Sequence, residues 1–175
     1  MLTIKSARTG QNRTALGSSG SLCVTDKDEP LFAKRKFRVY HEFTANTVIR
    51  MVVTSDFYLT YNRIWTGQGA CRLRIVSGGT PAGTFTPIAT KFCLNTVGGD
   101  APGQAVFSVG GTHTGGTERE VLRADSSTAG GGSGNNDSAI STRYLQSGTY
   151  YFECVVTGAT QAMWNMEYEE VTNVV

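Results

Sequence analysis

Thr149-Tyr150-Tyr151-Phe152-Glu153-Cys154-Val155-Val156 and Ala162-Met163-Trp164-Asn165-Met166-Glu167-Tyr168-Glu169-Glu170 are the two runs that decide the fold class. In the first, Tyr150, Phe152, Cys154 and Val156 fall on one side of a period-two repeat. In the second, Trp164, Met166 and Tyr168 alternate with Asn165, Glu167 and Glu169. Alternation of this kind buries one face of a β-strand and wets the other. The intervening Gly158-Ala159-Thr160 reads as the turn of a hairpin. The same rhythm recurs upstream. Phe37, Val39, His41 and Phe43 alternate with Arg38, Tyr40 and Glu42, and Cys71, Leu73 and Ile75 alternate with Arg72 and Arg74. Between them, Val48 to Val53 has the β-branched, largely apolar character of a strand buried on both faces. Phe57, Leu59 and Tyr61 share one face of a strand that runs to Trp65. These four runs read as successive antiparallel strands.

The middle of the chain is richer in turn residues. Ser77 to Gly83 reads as a loop, and Phe85 to Leu94 as a strand interrupted at Pro87. Proline places that strand at a sheet edge, because it has no N–H for a ladder bond. After an Asn95–Gly103 loop, Ala105 to Val109 is a short strand. Gly110-Gly111-Thr112-His113-Thr114-Gly115-Gly116 follows as an exposed, flexible turn, Glu118 to Asp125 is extended again, and Ser126 to Asp137 is a flexible loop. No three-turn amphipathic helix is present. The pattern predicts an all-β protein, an antiparallel β-sandwich of jelly-roll topology with eight to ten strands. The expected core comprises Val39, Phe43, Ile49, Leu59, Tyr61, Leu73, Ile75, Tyr150, Phe152, Trp164 and Met166. Tyr40, Tyr58 and Tyr151 are the expected exposed aromatics, suited to a subunit interface or to stacking on sugars.

Residues 1–36 differ from the sandwich domain assigned to residues 37–175. They carry seven Lys/Arg against three Asp/Glu and little apolar surface, and they read as an extended polar arm. Lys5, Arg8, Arg13, Lys34, Arg35 and Lys36 are its candidate assembly contacts. Across the chain, residues 1–74 hold 12 Lys/Arg and 5 Asp/Glu, whereas residues 75–175 hold 4 and 9. If folding leaves these halves apart, copies attract one another. The near-cancelling total, +2, argues against direct binding to nucleic acid. No stretch approaches the roughly 18 apolar residues of a membrane span.

The 175 residues include four cysteines, none closer than 22 positions to the next, which is neither a zinc nor a redox spacing. The opening residues lack the layout of a secretory signal, so the thiols are expected to be reduced and mostly buried. His41 lies on an apolar strand face and reads as a core or rim residue. His113 has no ligand or acid partner at a recognisable spacing, and no metal or cofactor is expected. There is no Gly-x-Ser-x-Gly elbow and no phosphate loop. Glu167 and Glu169, about 7 Å apart by strand rise, are an ordinary solvent-facing pair and not a glycosidase acid pair. The expectation is a protein without enzymatic activity.

Three stretches carry a family likeness: TGQGACRLRIVSGGTPAGTFTPI (residues 66–88), VFSVGGTHTGGTEREVLR (106–123) and SGTYYFECVVTGATQAMWNMEYEEV (147–171). Over residues 37–171 the chain resembles small structural proteins in virions of tailed, mainly short-tailed, bacteriophages, of the capsid decoration, cement or fibre type. The likeness implies a virion location and self-association, as a homotrimer or another homo-oligomer. It further implies the major capsid protein or another virion protein as partner. The leading expectation is a decoration protein that stabilises the assembled shell. The alternative is a receptor- or glycan-binding module of a tail or head fibre. The likeness carries over no active-site residues.

Overall fold

A computed structural model describes residues 3–5, 12–14, 35–67, 69–97, 99, 101–126, 143–158 and 161–171. Arg8, Lys34, Cys23 and most of the Ser126–Asp137 loop lie outside the described residues. The strands are β1 (Thr3–Lys5), β2 (Asn12–Thr14), β3 (Lys36–Phe43), β4 (Thr47–Val53), β5 (Phe57–Thr66), β6 (Gly69–Ser77), β7 (Thr80–Pro87), β8 (Lys91–Cys93), β9 (Val106–Thr114), β10 (Thr117–Ser126), β11 (Arg143–Leu145), β12 (Gly148–Thr157) and β13 (Ala162–Glu170). β1 and β2 pair with each other. The remainder form a six-stranded sheet, β10-β6-β12-β4-β9-β7, and a five-stranded sheet, β11-β5-β13-β3-β8. All the ladders are antiparallel, and the two sheets pack face to face as a β-sandwich.

Strands consecutive in sequence do not pair as the alternation suggests. β3 and β5 belong to the five-stranded sheet, and β4 and β6 to the six-stranded one. The chain therefore crosses between sheets at each early turn. The Gly158 turn is likewise a crossover and not a hairpin: β12 inserts between β4 and β6, and β13 between β3 and β5. Period-two patterning fixes which side chains face inward. It is silent about which sheet a strand joins, because both sheets bury the same kind of face.

The core forms between the inward rows. Trp164 is fully buried, 4.7 Å from the Phe152 ring and 6.2 Å from that of Phe107, both on the opposite sheet. Its indole N–H donates to Asn62 Oδ1 at 2.8 Å, which satisfies the one polar atom that burial would otherwise orphan. Ten of the eleven expected core residues are buried; Tyr61 is the exception. The β5/β13 register shifts between Glu167 and Tyr168, leaving Thr60 as the extra residue of a bulge. The bulge reverses the phase of β5, so Asn62 and Ile64 turn inward while Tyr61, Arg63 and Trp65 line the outer face. β4 also departs from expectation. It alternates, with Ile49, Met51 and Val53 buried and Val52 exposed.

The loop after β8 is tied to the end of β13. Buried Glu170 accepts hydrogen bonds from the backbone N–H groups of Gln104 (2.7 Å) and Ala105 (2.9 Å). Gly103 closes against this carboxylate at φ +61°, where a Cβ would stand 2.6 Å from the Phe37 ring. His41 lies in the inward row opposite Trp164 and is half-buried, as expected of a rim residue; burial lowers its pKa. Cys71, Cys93 and Cys154 are buried. Burial, with Asp125 adding to it, pushes the Cys71 thiol up to about 11, which keeps it protonated and unreactive at neutral pH.

Replacement of Trp164 by alanine removes the ring from both sheets and orphans Asn62. It should cost about 3–5 kcal/mol in urea unfolding, whereas Tyr61→Ala, on the outer face, should cost far less. Equal losses would place Tyr61 in the core after all.

Candidate functional site

The outer faces of the two sheets hold the side chains that the core does not use. On the six-stranded sheet, the Gly110–Gly116 segment is not the free turn its composition suggests. Its first five residues finish strand β9, and the segment passes from beside β4 over β12 to the end of β6. Glycine pairs at its ends make this path possible. Gly111 has φ +54°, and a Cβ there would stand 2.4 Å from the Phe85 ring. Gly116 has φ +96°, with Val76 Cγ1 at 2.6 Å from the same hypothetical atom. β7 begins at Thr80, inside the expected loop, because it pairs with β9 along this segment. β7 is an edge strand, as its prolines require.

This strap carries His113 onto the sheet. The imidazole side chain is only 3% exposed, correcting the expectation of an exposed, flexible residue. It stacks on Tyr151 with centroids 4.1 Å apart and planes 11° from parallel. Its Nε2 lies 2.7 Å from Glu153 Oε1, and an ionised carboxylate only accepts, so Nε2 carries the proton. Tyr151, expected on the surface, is consequently buried beneath His113 and Phe85. Arg50 completes the cover, with its guanidinium 4.4 Å from the Phe85 ring centroid and its Nε 3.3 Å from Ser108 Oγ.

Glu153 is the hub of the charged row beside the strap. Arg74 donates to both of its oxygens, at 2.5 and 2.6 Å, and also reaches Glu118 at 3.7 Å. These bonds, with that of His113, hold the Glu153 carboxyl below its ordinary value against the opposing effect of burial. On the other sheet, Arg38 donates to Glu167. Two arginines of the basic first half thus meet carboxylates of the acidic second half, across β6/β12 and β3/β13. Folding therefore interleaves part of the two charge halves instead of leaving them wholly apart.

Arg72 and Arg123 take no part in this pairing. They stand directly opposite each other on β6 and β10, both exposed, in a cleft of ≈ 420 Å³ that Asp125, Val155 and Thr157 also line. No ion pair holds either guanidinium among the described residues. Like charges at opposed positions disfavour the sheet unless something outside it compensates them. Of the candidate assembly residues, Lys5 and Arg13 lie on β1 and β2, at adjacent register positions. Lys36 opens β3 opposite Glu169, and the backbone carbonyl of Arg35 accepts the N–H of Glu170. The last two residues assigned to the arm are therefore joined to the sandwich. Nothing in the strand pattern marks Arg72 and Arg123 as a pair, since their opposition depends on a ladder between residues 51 positions apart.

A second cleft, of ≈ 300 Å³, opens on the outer face of the five-stranded sheet among Tyr61, Arg63, Trp65, Met163 and Asn165. It exists because the bulge at Thr60 turned this stretch of β5 outward. No protein family, no curated protein and no solved structure matches the chain.

The Glu153 network gives a pH dependence whose sign is fixed. A carboxyl held below its unfolded value stabilises the fold above the ordinary 4.5 and loses that contribution as the pH falls through the depressed folded value. Glu153→Gln should therefore flatten the acid limb of a melting-temperature profile while leaving its shape above pH 6 unchanged. Superimposable acid limbs for the two proteins would remove Glu153 from the account.

Proposed function

We propose that this chain is a structural, non-enzymatic component of a tailed-bacteriophage virion, a decoration or cement protein that binds the assembled shell as a homotrimer or another homo-oligomer. The observation that carries the reading is the Arg72/Arg123 pair, opposed on a sheet face and held by no ion pair among the described residues. A neighbouring subunit that brings carboxylates to this row relieves the like-charge opposition and gains charge-assisted bidentate bonds. Lys5, Arg8, Arg13, Lys34, Arg35 and Lys36 extend the same basic character along the N-terminal arm. Binding of this kind stabilises only the assembled lattice, by mass action.

The strand order supports a jelly-roll topology for the scaffold. β3-β13-β5-β11 and β4-β12-β6-β10 are the two four-strand orders of a jelly roll within the larger sheets, while β7, β8 and β9, which fall between β6 and β10 in the chain, extend the sheets beside β4 and β3. A wrapped sandwich presents broad, stiff outer faces, and these are what attachment to a lattice needs.

The reading is tested with purified particles of the encoding phage and salt-dependent release. An Arg72→Ser/Arg123→Ser double variant should keep or slightly raise the melting temperature, since a repulsion is removed. It should nevertheless leave the particle at lower salt than the parent. Deleting residues 1–21 should leave the sandwich folded and weaken co-sedimentation, most of all at high salt. Normal attachment by both variants would sink the proposal.

A further inference from the structure

We infer that the cleft on the outer face of the five-stranded sheet binds one acidic sugar ring, a hexuronate or similarly carboxylated pyranose, through Tyr61, Arg63, Trp65 and Asn165. The inference goes beyond attachment to a shell and uses the opposite face of the molecule from Arg72 and Arg123.

Tyr61, Arg63 and Trp65 are alternate residues of β5, and Asn165 and Met163 sit opposite Arg63 and Trp65 on β13. The sheet thus fixes two aromatic rings with a cation between them and an amide beside it. The indole of Trp65 is held in place by the turn that follows, since a Cβ on Gly67 would lie 3.3 Å from its Cη2. Rings fixed in this way offer flat apolar faces to the C–H face of a pyranose at little entropic cost. Arg63 has no ion pair or hydrogen bond among the described residues. Arg38, on the far side of β13 from it, is by contrast joined to Glu167. An unneutralised guanidinium in a partly apolar cleft favours a planar anion, and a carboxylate matches its fork.

Asn165 supplies the third requirement. Its Oδ1 is shielded from solvent and has no hydrogen-bond partner. The last torsion of asparagine is broad and roughly two-fold, so a modest rotation turns that oxygen toward the cleft. A ring hydroxyl would then satisfy it. The volume, ≈ 300 Å³, lies at the small end of the roughly 300–1,000 Å³ range of ligand sites, which suits one ring and not an extended chain. A peptide carboxylate satisfies Arg63 equally well, but it leaves the aromatic faces without a matching partner. That distinction favours the sugar.

The test is titration of the full-length protein with a glucuronic acid trisaccharide and with its carboxyl-reduced counterpart, followed by calorimetry and tryptophan fluorescence. Trp164 is sealed in the core, so a change in emission reports on Trp65. The acidic sugar should bind at least tenfold more tightly than the neutral one, with an advantage that shrinks as salt rises. Arg63→Gln should abolish that preference, and Trp65→Ala should abolish binding of both sugars, each with an unchanged melting temperature. Asn165→Leu should weaken both sugars alike and keep the preference. Failure of both sugars to bind overturns the inference, as does equal binding of the two by the parent protein. Loss of self-association in Trp65→Ala without any sugar binding would identify the face as a contact between copies, and would likewise overturn it. None of these results bears on particle attachment through Arg72 and Arg123.

Discussion

The hydrogen bond from Trp164 to Asn62 sits where the structure has least freedom. Trp164 lies on the central strand of one sheet and packs against Phe152, on a central strand of the other. A buried indole N–H needs a partner, and Asn62 reaches it only because a bulge has turned that part of β5 inward. The same bulge sends Tyr61, Arg63 and Trp65 to the surface. One residue of register therefore both satisfies the core and creates the outer cleft, and neither feature can be changed without the other.

The two C-terminal strands close both sheets. β12 and β13 each lie between two strands laid down much earlier in the chain, so nearly every ladder joins residues far apart in sequence. Pairing of this kind pays its loop-closure entropy before contacts return it, and a fold dominated by it forms slowly. The arrangement also places late carboxylates beside early arginines. Arg74 meets Glu153 and Arg38 meets Glu167, so part of the charge imbalance along the chain is neutralised within the sheets. What remains at the surface is selective. Arg72 and Arg123 share one face and Arg63 lies on the other, none of them in an ion pair among the described residues.

The strap over β12 shows how glycine can signal something other than a loop. Gly-Gly-Thr-His-Thr-Gly-Gly has the composition of an exposed turn, yet its glycines are needed for close approach. Gly111 passes the Phe85 ring and Gly116 passes Val76, and the reward is a stacked, hydrogen-bonded His113. Tyr151 is buried on what would otherwise be the wet face of its sheet. A period-two argument assigns that face to solvent because it sees one strand and its own sheet, never a second layer laid across the outside.

Sequence alone determined the all-β class, the position of most strands, and the inward phase of β3, β6, β12 and β13, because burial of one strand face imposes a local rhythm of two. It also indicated buried cysteines and a rim position for His41. Tertiary structure alone decided which sheet each strand joins, the reversal of phase within β5, the burial of His113 and Tyr151, the opposition of Arg72 and Arg123, and the outer cleft around Arg63. All of these depend on register between distant segments. A one-residue bulge or a glycine-hinged crossing changes that register without leaving any mark in the alternation of either strand alone.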